Sequence, residues 1–108
     1  MPRIEFDNII IDRELHHIRK AGVMVEVEPK SFRVLEYLIE HRNRVVPKDE
    51  LIDKIWEGAT VTDNALTRII AQIRKALGDD ARQARYIETV PTIGYRFIYP
   101  IPVPHSAE

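Results

Sequence analysis

The longest amphipathic pattern in the chain runs from Thr62 to Gly78. Its large aliphatic residues recur every three or four positions, which predicts an α-helix with one buried face. Thr62 suits the N-cap, Asp63 in the first turn complements the positive end of the helix dipole, and Gly78 suits the C-terminal stop. The apolar stripe consists of Leu66, Ile69, Ile70, Ile73 and Leu77.

The opposite face of this predicted helix is polar and carries no acidic residue. A solvated face normally mixes both signs of charge, often as Glu and Lys pairs four residues apart. This face instead combines cations and hydrogen-bonding side chains around the small Ala71, so a partner could approach closely. Such a surface is what a helix needs to read base edges in the major groove of DNA. Its members are Asn64, Thr67, Arg68, Ala71, Gln72, Arg74 and Lys75.

The N-terminal part alternates short apolar runs with turn residues, which predicts an antiparallel sheet of about four strands. Gly22 supplies the positive φ of one turn. Beyond it Val23, Val25 and Val27 recur at every second position, as in a half-buried strand. The four predicted strands are residues 4–6, 9–11, 15–19 and 23–27.

Two further helical patterns follow, and each is opened by a proline. Pro29 begins a helix that runs to about His41, and Pro47 begins a shorter one after the brief extended pair Val45-Val46. The inward-facing residues are Phe32, Leu35, Leu38 and Ile39 in the first helix, and Leu51, Ile52, Ile55 and Trp56 in the second.

The chain returns to strand character after Gly78. Residues 86–90 and 95–99 are rich in β-formers, and the loop 91–94 joins them as a hairpin. A sheet, three helices and a hairpin predict an α+β fold, a winged helix-turn-helix over residues 1–99. The proline-rich residues 100–108 predict a stiff linker or tail.

Length, charge and composition limit the classes of protein to which the chain can belong. A length of 108 residues predicts one domain. The net charge of −1 and the pI of about 6.4 give no global case for nucleic-acid binding, so that case depends on the local polar face. The chain has no cysteine, which excludes disulfides and thiolate metal sites and favours a cytoplasmic location. It has neither an apolar run of membrane-spanning length nor a signal-peptide core.

Neither a catalytic site nor a metal site is indicated. His16 and His17 would point to opposite faces of a strand and cannot chelate one ion. Ser31 and Ser106 have no evident general base, and the chain lacks the common phosphate-loop, esterase and zinc-protease motifs. We therefore expect a non-enzymatic protein with no cofactor, metal or small-molecule substrate.

Three segments resemble the transcriptional regulatory domain of OmpR/PhoB response regulators, and more closely its N-terminal form in CadC/ToxR-like one-component regulators. They are VVPKDELIDKIW (45–56), VTDNALTRIIAQIRKALGDD (61–80) and YIETVPTIGYRF (86–97). The resemblance spans about residues 4–99. It implies sequence-specific binding of double-stranded DNA by a bacterial transcriptional regulator. In this arrangement the recognition helix 62–78 enters the major groove, and the wing 89–95 lies on the backbone or minor groove.

The resemblance also implies which side chains meet DNA. Asn64 and Gln72 could read adenine or only bind water, while Arg74 and Lys75 could merely complement the helix C-terminus. Trp56 is first a core residue that could add a phosphate contact through its indole N–H. The implied DNA-binding residues are Trp56, Thr62, Asn64, Thr67, Arg68, Gln72, Arg74, Lys75, Thr89, Thr92 and Tyr95.

Partners and flanking segments follow from the same resemblance. It implies contact with RNA polymerase through the loop 57–61 and dimers on direct-repeat operators. We expect no receiver domain before the first strand. A sensor or effector, which could be membrane-anchored, is expected after the proline-rich tail.

One departure from the family pattern keeps a rival hypothesis open. Relatives commonly carry Arg or Lys at the wing tip, where this chain has Pro91, Thr92 and Ile93. An uncharged wing and a near-zero net charge would also suit a winged helix that binds a protein rather than DNA.

Overall fold

The N-terminal residues form a four-stranded antiparallel sheet in sequence order. A computed structural model of the chain describes residues 3–57, 59 and 61–101. Its first four strands are β1 (Arg3–Phe6), β2 (Ile9–Asp12), β3 (His17–Lys20) and β4 (Val23–Val25). The predicted sheet is thereby confirmed, including the tight turn before β4. Ala21 and Gly22 both have positive φ, 53° and 81°, as a two-residue hairpin loop of the primed type requires.

Two strand boundaries predicted for this N-terminal sheet are wrong. The third strand begins at His17, because Leu15 belongs to the preceding turn and is 62% exposed. The fourth strand ends at Val25, and Val23 is 65% exposed rather than half-buried. β4 is an edge strand, so its first residue extends past the core while Val25 and Val27 pack against it.

Three helices follow: α1 (Pro29–Glu40), α2 (Lys48–Trp56) and α3 (Asp63–Leu77). Pro29 occupies the first turn of α1, as predicted, whereas Pro47 is the N-cap of α2 rather than its first residue. α3 ends at Gly78, whose φ of 75° allows its backbone N–H and that of the next residue to bond carbonyls of the last turn.

The C-terminal hairpin belongs to a three-stranded sheet of order β5-β7-β6. It contains β6 (Ile87–Val90) and β7 (Gly94–Phe97), joined by a three-residue loop rather than the predicted four. The third member is β5 (Val46–Pro47), which pairs with β7. Gly94 is required at the crossing, since a Cβ there would lie 2.0 Å from the carbonyl oxygen of Val46.

A single core joins both sheets to the helices. It contains an aromatic cluster of Phe6, Tyr86, Phe97 and Tyr99, whose contacting rings have centroids 5.2–5.7 Å apart. Burial, followed by a hydrogen bond to Asp7, raises the pKa of Tyr86 to about 12. The cluster ties β1 to the wing sheet and so fixes the hairpin beside α3.

The described residues include the first two positions of the predicted tail, Pro100 and Ile101. Ile101 is partly buried against the core, and residues 102–108 of the predicted tail lie outside the described residues. Within the described ranges, no helix has both the length and the apolar run that a membrane span requires. The same residues contain no cluster of three acidic, His or Cys side chains that could hold a metal ion.

Candidate nucleic-acid interface

Helix α3 buries one side completely and presents the other to solvent. The predicted polar face is exposed over most of its length. The one acidic residue of α3 is Asp63, in the first turn. Six residues anchor the opposite side, so the polar face is held on a firmly packed helix. The buried residues are Leu66, Ile69, Ile70, Ile73, Ala76 and Leu77.

Arg68, at the centre of the polar face, is paired with an acidic residue from another element. Its two terminal nitrogens donate to the two carboxylate oxygens of Glu28 at 2.6 and 3.2 Å. Glu28 is the N-cap of α1, and the two side chains remain 59% and 45% exposed. Hydrogen bonds from Arg68 and then Gln72 lower the pKa of Glu28, and the bond to Glu28 raises the pKa of Arg68. The pair is therefore fully ionised at neutral pH.

Gln72 also contacts the N-terminus of α1. Its Oε1 accepts hydrogen bonds from the backbone N–H of Glu28 at 2.8 Å and from Oγ of Ser31 at 2.6 Å. Its Nε2 donates to the Glu28 carboxylate at 3.1 Å. Both lone pairs of the amide oxygen are thus used. Bidentate reading of adenine, which needs that oxygen as an acceptor, would require Gln72 to give up one of these bonds.

Arg74 lies between α3 and the wing. One terminal nitrogen donates to the backbone carbonyl of Ile87 at 3.0 Å and to Oγ1 of Thr89 at 2.7 Å. Its Nε is buried and has no hydrogen-bond partner among the described residues. Arg74 therefore fixes β6 against the helix, and Thr89 is the acceptor at the base of the wing.

The remaining polar side chains of α3 are exposed. Thr62 occupies the N-cap position, as predicted, but makes no side-chain capping bond, and Thr67 donates to the backbone oxygen of Asp63 at 3.0 Å. Asn64 and Lys75 are exposed, and the structure gives them no side-chain hydrogen bond within the ranges it describes. Of the three cations on the face, Lys75 is thus the one without a described internal partner.

The wing tip is uncharged and exposed. Thr92 has a φ of 62°, which is unusual for a β-branched residue, and Ile93 is 53% exposed. The backbone of Ile93 is fixed by bonds to Val90 and Lys48. Tyr95 follows the wing tip and is only 5% exposed, so it is a core residue. Only the edge of its ring is available to a phosphate.

Trp56 ends α2 and packs partly against the core, as predicted. The Nζ atom of Lys30 lies 5.9 Å from the centre of its ring. Of the loop 57–61, the structure describes Glu57, Ala59 and Val61, and Glu57 has a left-handed φ of 53°. Gly58 and Thr60, part of the predicted polymerase contact, lie outside the described residues.

Two residues of this site were missed by sequence reasoning. Glu28 and Ser31 precede their partners Arg68 and Gln72 by about forty positions and lie at the start of another helix. A weak signal existed, because Glu28 directly precedes Pro29 and therefore occupies a cap position whose side chain faces outward.

The chain matches the family model described as "Transcriptional regulatory protein, C terminal" over residues 22–97. It is 31% identical over 101 residues to the transcriptional activator CadC of Escherichia coli, which covers 93% of this chain and 20% of CadC. It is 37% identical over 98 residues to the transcriptional regulator HilA of Salmonella typhi, covering 91% and 17% of the two chains. The chain thus spans about a fifth or less of the length of these relatives.

Solved structures give the same result for the fold. The DNA-binding domain of E. coli CadC superposes with a TM-score of 0.80 at 29% identity, covering 94% of this chain and 96% of that domain. The Klebsiella pneumoniae RstA DNA-binding domain, solved in complex with the RstA box, gives 0.78 at 27% identity, covering 91% and 98%. The chain belongs to the family of transcriptional regulatory protein C-terminal domains, which have the winged-helix fold of the OmpR/PhoB type.

Proposed function

We propose that this chain is the sequence-specific DNA-binding domain of a bacterial transcriptional regulator. The observation that carries the proposal is the exposed polar face of α3 opposite six buried anchoring residues. A major groove about 12 Å wide admits one helix, and hydrogen-bonding side chains on its outer face can then reach base edges. The RstA domain of similar fold was solved with its DNA box, which supports the same mode here.

Within this proposal the side chains divide by what they can recognise. Arg68 is suited to guanine, because its two terminal nitrogens can donate to O6 and N7 together. Asn64 and Thr67 lie on the same exposed face towards the N-terminal end of α3. Lys75 serves as a phosphate contact, since an exposed ammonium carries charge without bidentate geometry.

The other predicted contacts have supporting roles in the proposed complex. Arg74 and Thr89 hold the wing against α3, and the exposed tip at Thr92 meets the backbone or minor groove. Phosphate contacts are proposed only through the side-chain N–H or O–H groups of Trp56, Thr62 and Tyr95. The two rings pack against the core, and Thr62 is the N-cap of α3. Gln72 supports Glu28 and would read a base through its remaining amide N–H.

Selection from a pool of randomised duplexes tests the proposal. The expected result is enrichment of one motif, to which the Arg68→Ala variant binds about 1–3 kcal/mol more weakly with relaxed preference at one or two base pairs. Lys75→Ala is the matched control, because loss of a phosphate contact should weaken binding to selected and random duplexes equally. If no motif is enriched at low salt, the DNA-binding proposal is wrong, and the protein-binding alternative takes its place.

We further propose that two copies act together on direct repeats. Few cations on the interface lack internal partners, so one domain displaces few counterions and should bind a half-site weakly. Two domains held one helical turn apart would combine their contacts. Titration of duplexes with one or two half-sites tests this; nanomolar binding to a single half-site in 150 mM salt would contradict it.

Contact with RNA polymerase through the loop 57–61 belongs to the same proposal. Glu57 and Ala59 are exposed and lie in the segment between α2 and α3, the two helices of the helix-turn-helix. A Glu57→Lys variant should keep its DNA affinity and lose transcriptional effect in a reconstituted promoter assay. Equal transcription by the variant and the wild type would remove this role.

A further inference from the structure

We infer that Glu28 withholds Arg68 from phosphates on non-cognate DNA and so sets the salt dependence of that binding, an inference that rests on the proposed DNA-binding function. The Glu28 carboxylate binds both terminal nitrogens of Arg68, at 2.6 and 3.2 Å. Guanine presents its O6 and N7 atoms to the same pair of nitrogens. The Glu28 carboxylate and a guanine base therefore compete for the same two terminal nitrogens of Arg68.

The position of Glu28 is fixed from two sides. Its backbone N–H and its carboxylate both bond the amide of Gln72, and Ser31 holds the same amide oxygen. Glu28 is also the N-cap of α1, a helix with six buried residues. The carboxylate thus stays beside Arg68 without having to be ordered each time the pair forms.

The ion pair is weak enough to open when a better partner is present. Both side chains are about half exposed, and an exposed pair of this kind shifts an equilibrium by no more than about fivefold. A correctly placed guanine offers two acceptors in the matching geometry, and it displaces the carboxylate. A phosphate on random DNA can also accept from both terminal nitrogens of a guanidinium, but no base contacts hold the protein in a register that brings one to Arg68, and Arg68 stays with Glu28.

The consequence is a difference between selected and random DNA. On random DNA the wild-type protein lacks the charge of Arg68, so one fewer counterion is released. In Glu28→Gln the freed Arg68 reaches a phosphate, and log K for random DNA should fall more steeply with log salt by about 0.9. That slope corresponds to about fivefold tighter random binding at 0.15 M relative to 1 M salt. At the selected site Arg68 already contacts its base, so no counterion is gained, although loss of the competing carboxylate tightens this complex by up to about fivefold.

The experiment measures affinities of the 108-residue chain for the most enriched duplex and for a scrambled duplex of equal length and composition, at several salt concentrations. Glu28→Gln should tighten binding to both duplexes but steepen only the scrambled-duplex slope, by about 0.9. Glu26→Gln is the matched control: Glu26 borders the same groove beside Arg68 but makes no ion pair among the described residues. It should leave the difference between the two slopes unchanged.

A second control isolates the pair itself. With Arg68→Ala already present, Glu28→Gln should leave the difference between the two slopes unchanged, and thermal unfolding checks that each variant is folded. An unchanged scrambled-duplex slope in Glu28→Gln alone would overturn the inference. A selective loss of binding to the enriched duplex would also overturn it, because Glu28 would then orient Arg68 towards its base. Failure of the wild-type protein to enrich any duplex would instead reject the proposed function, and this inference with it.

Discussion

Arg74 should stabilise the folded domain through the wing rather than read DNA bases. The perturbation is Arg74→Met, which keeps an unbranched apolar stem and removes the guanidinium. The variant loses a partly buried hydrogen bond to the carbonyl oxygen of Ile87 and an exposed one to Thr89. Lys75→Met is the matched control, since it removes a neighbouring cation that has no side-chain hydrogen bond in the part of the chain that the structure describes.

The magnitude follows from three contributions. A hydrogen bond from a charged donor contributes about 1.5–3 kcal/mol, and the exposed bond to Thr89 adds about 0.5 kcal/mol. The Nε atom of Arg74 is buried and lacks a described partner, so its removal offsets about 1 kcal/mol of this loss. The net loss of unfolding free energy is about 1–2.5 kcal/mol, or about 4–10 °C in melting temperature for a domain of this size.

Urea denaturation followed by far-UV circular dichroism measures the change. We expect Arg74→Met to lower the midpoint with an unchanged slope, and Lys75→Met to leave it in place. DNA binding by Arg74→Met should weaken on selected and random duplexes alike, because the wing serves both. Equal stability of the two variants would refute the role of Arg74 as the wing anchor. A loss confined to the selected duplex would return Arg74 to the base-reading residues.

Three further predictions concern the core, acid stability and the wing. Ile73→Ala should lose about 2–4 kcal/mol of unfolding free energy, since Ile73 is fully buried; an unresolvable shift in the urea midpoint would contradict this. Hydrogen bonds from Arg44 and then Tyr37 lower the pKa of Glu50 to about 2. The stability that these bonds to the ionised carboxylate give the folded domain is therefore complete above about pH 4.5 and is lost as pH falls towards 2. Glu50→Gln should therefore cost about 1–2 kcal/mol at pH 7, after allowance for the exposure of Arg44, and nothing near pH 2; a pH-independent difference would reject the linkage. Thr92→Arg should steepen the salt dependence of DNA affinity by about 0.9, with Thr92→Gln as the neutral control, and an unchanged slope would place the tip away from DNA.

The elements of the fold could be predicted from the sequence because their signals are local. The stripe from Leu66 to Leu77 recurs at helical spacing within fifteen residues, and its period depends on backbone geometry alone. Gly22 and Gly78 mark turns that need positive φ, and both lie in that region. The polar face of α3 was visible for the same reason, since a helix that buries one stripe must expose the other.

Strand ends and burial at the edges could not be predicted in the same way. Leu15 and Val23 are apolar and fit a strand pattern, yet both are exposed because the core ends before them. Pairing of β5 with β7 joins Val46 to Tyr95, and nothing near either residue in the chain signals it. The length of the wing loop, and the need for Gly94 where β7 passes Val46, follow from that long-range pairing.

The chemical state of the interface was decided by tertiary structure. The sequence showed three cations on one face of α3, but packing of α1 against α3 brings Glu28 to Arg68 across forty positions. Likewise, Arg74 donates a hydrogen bond to the wing strand β6, which begins thirteen residues after it in the chain. A helical pattern determines which side chains share a face, whereas the partner of each depends on which other element lies beside that face. The sequence by itself therefore determined the fold and the polar face of α3, and the tertiary structure decided which of its cations is left without an internal partner in the described chain.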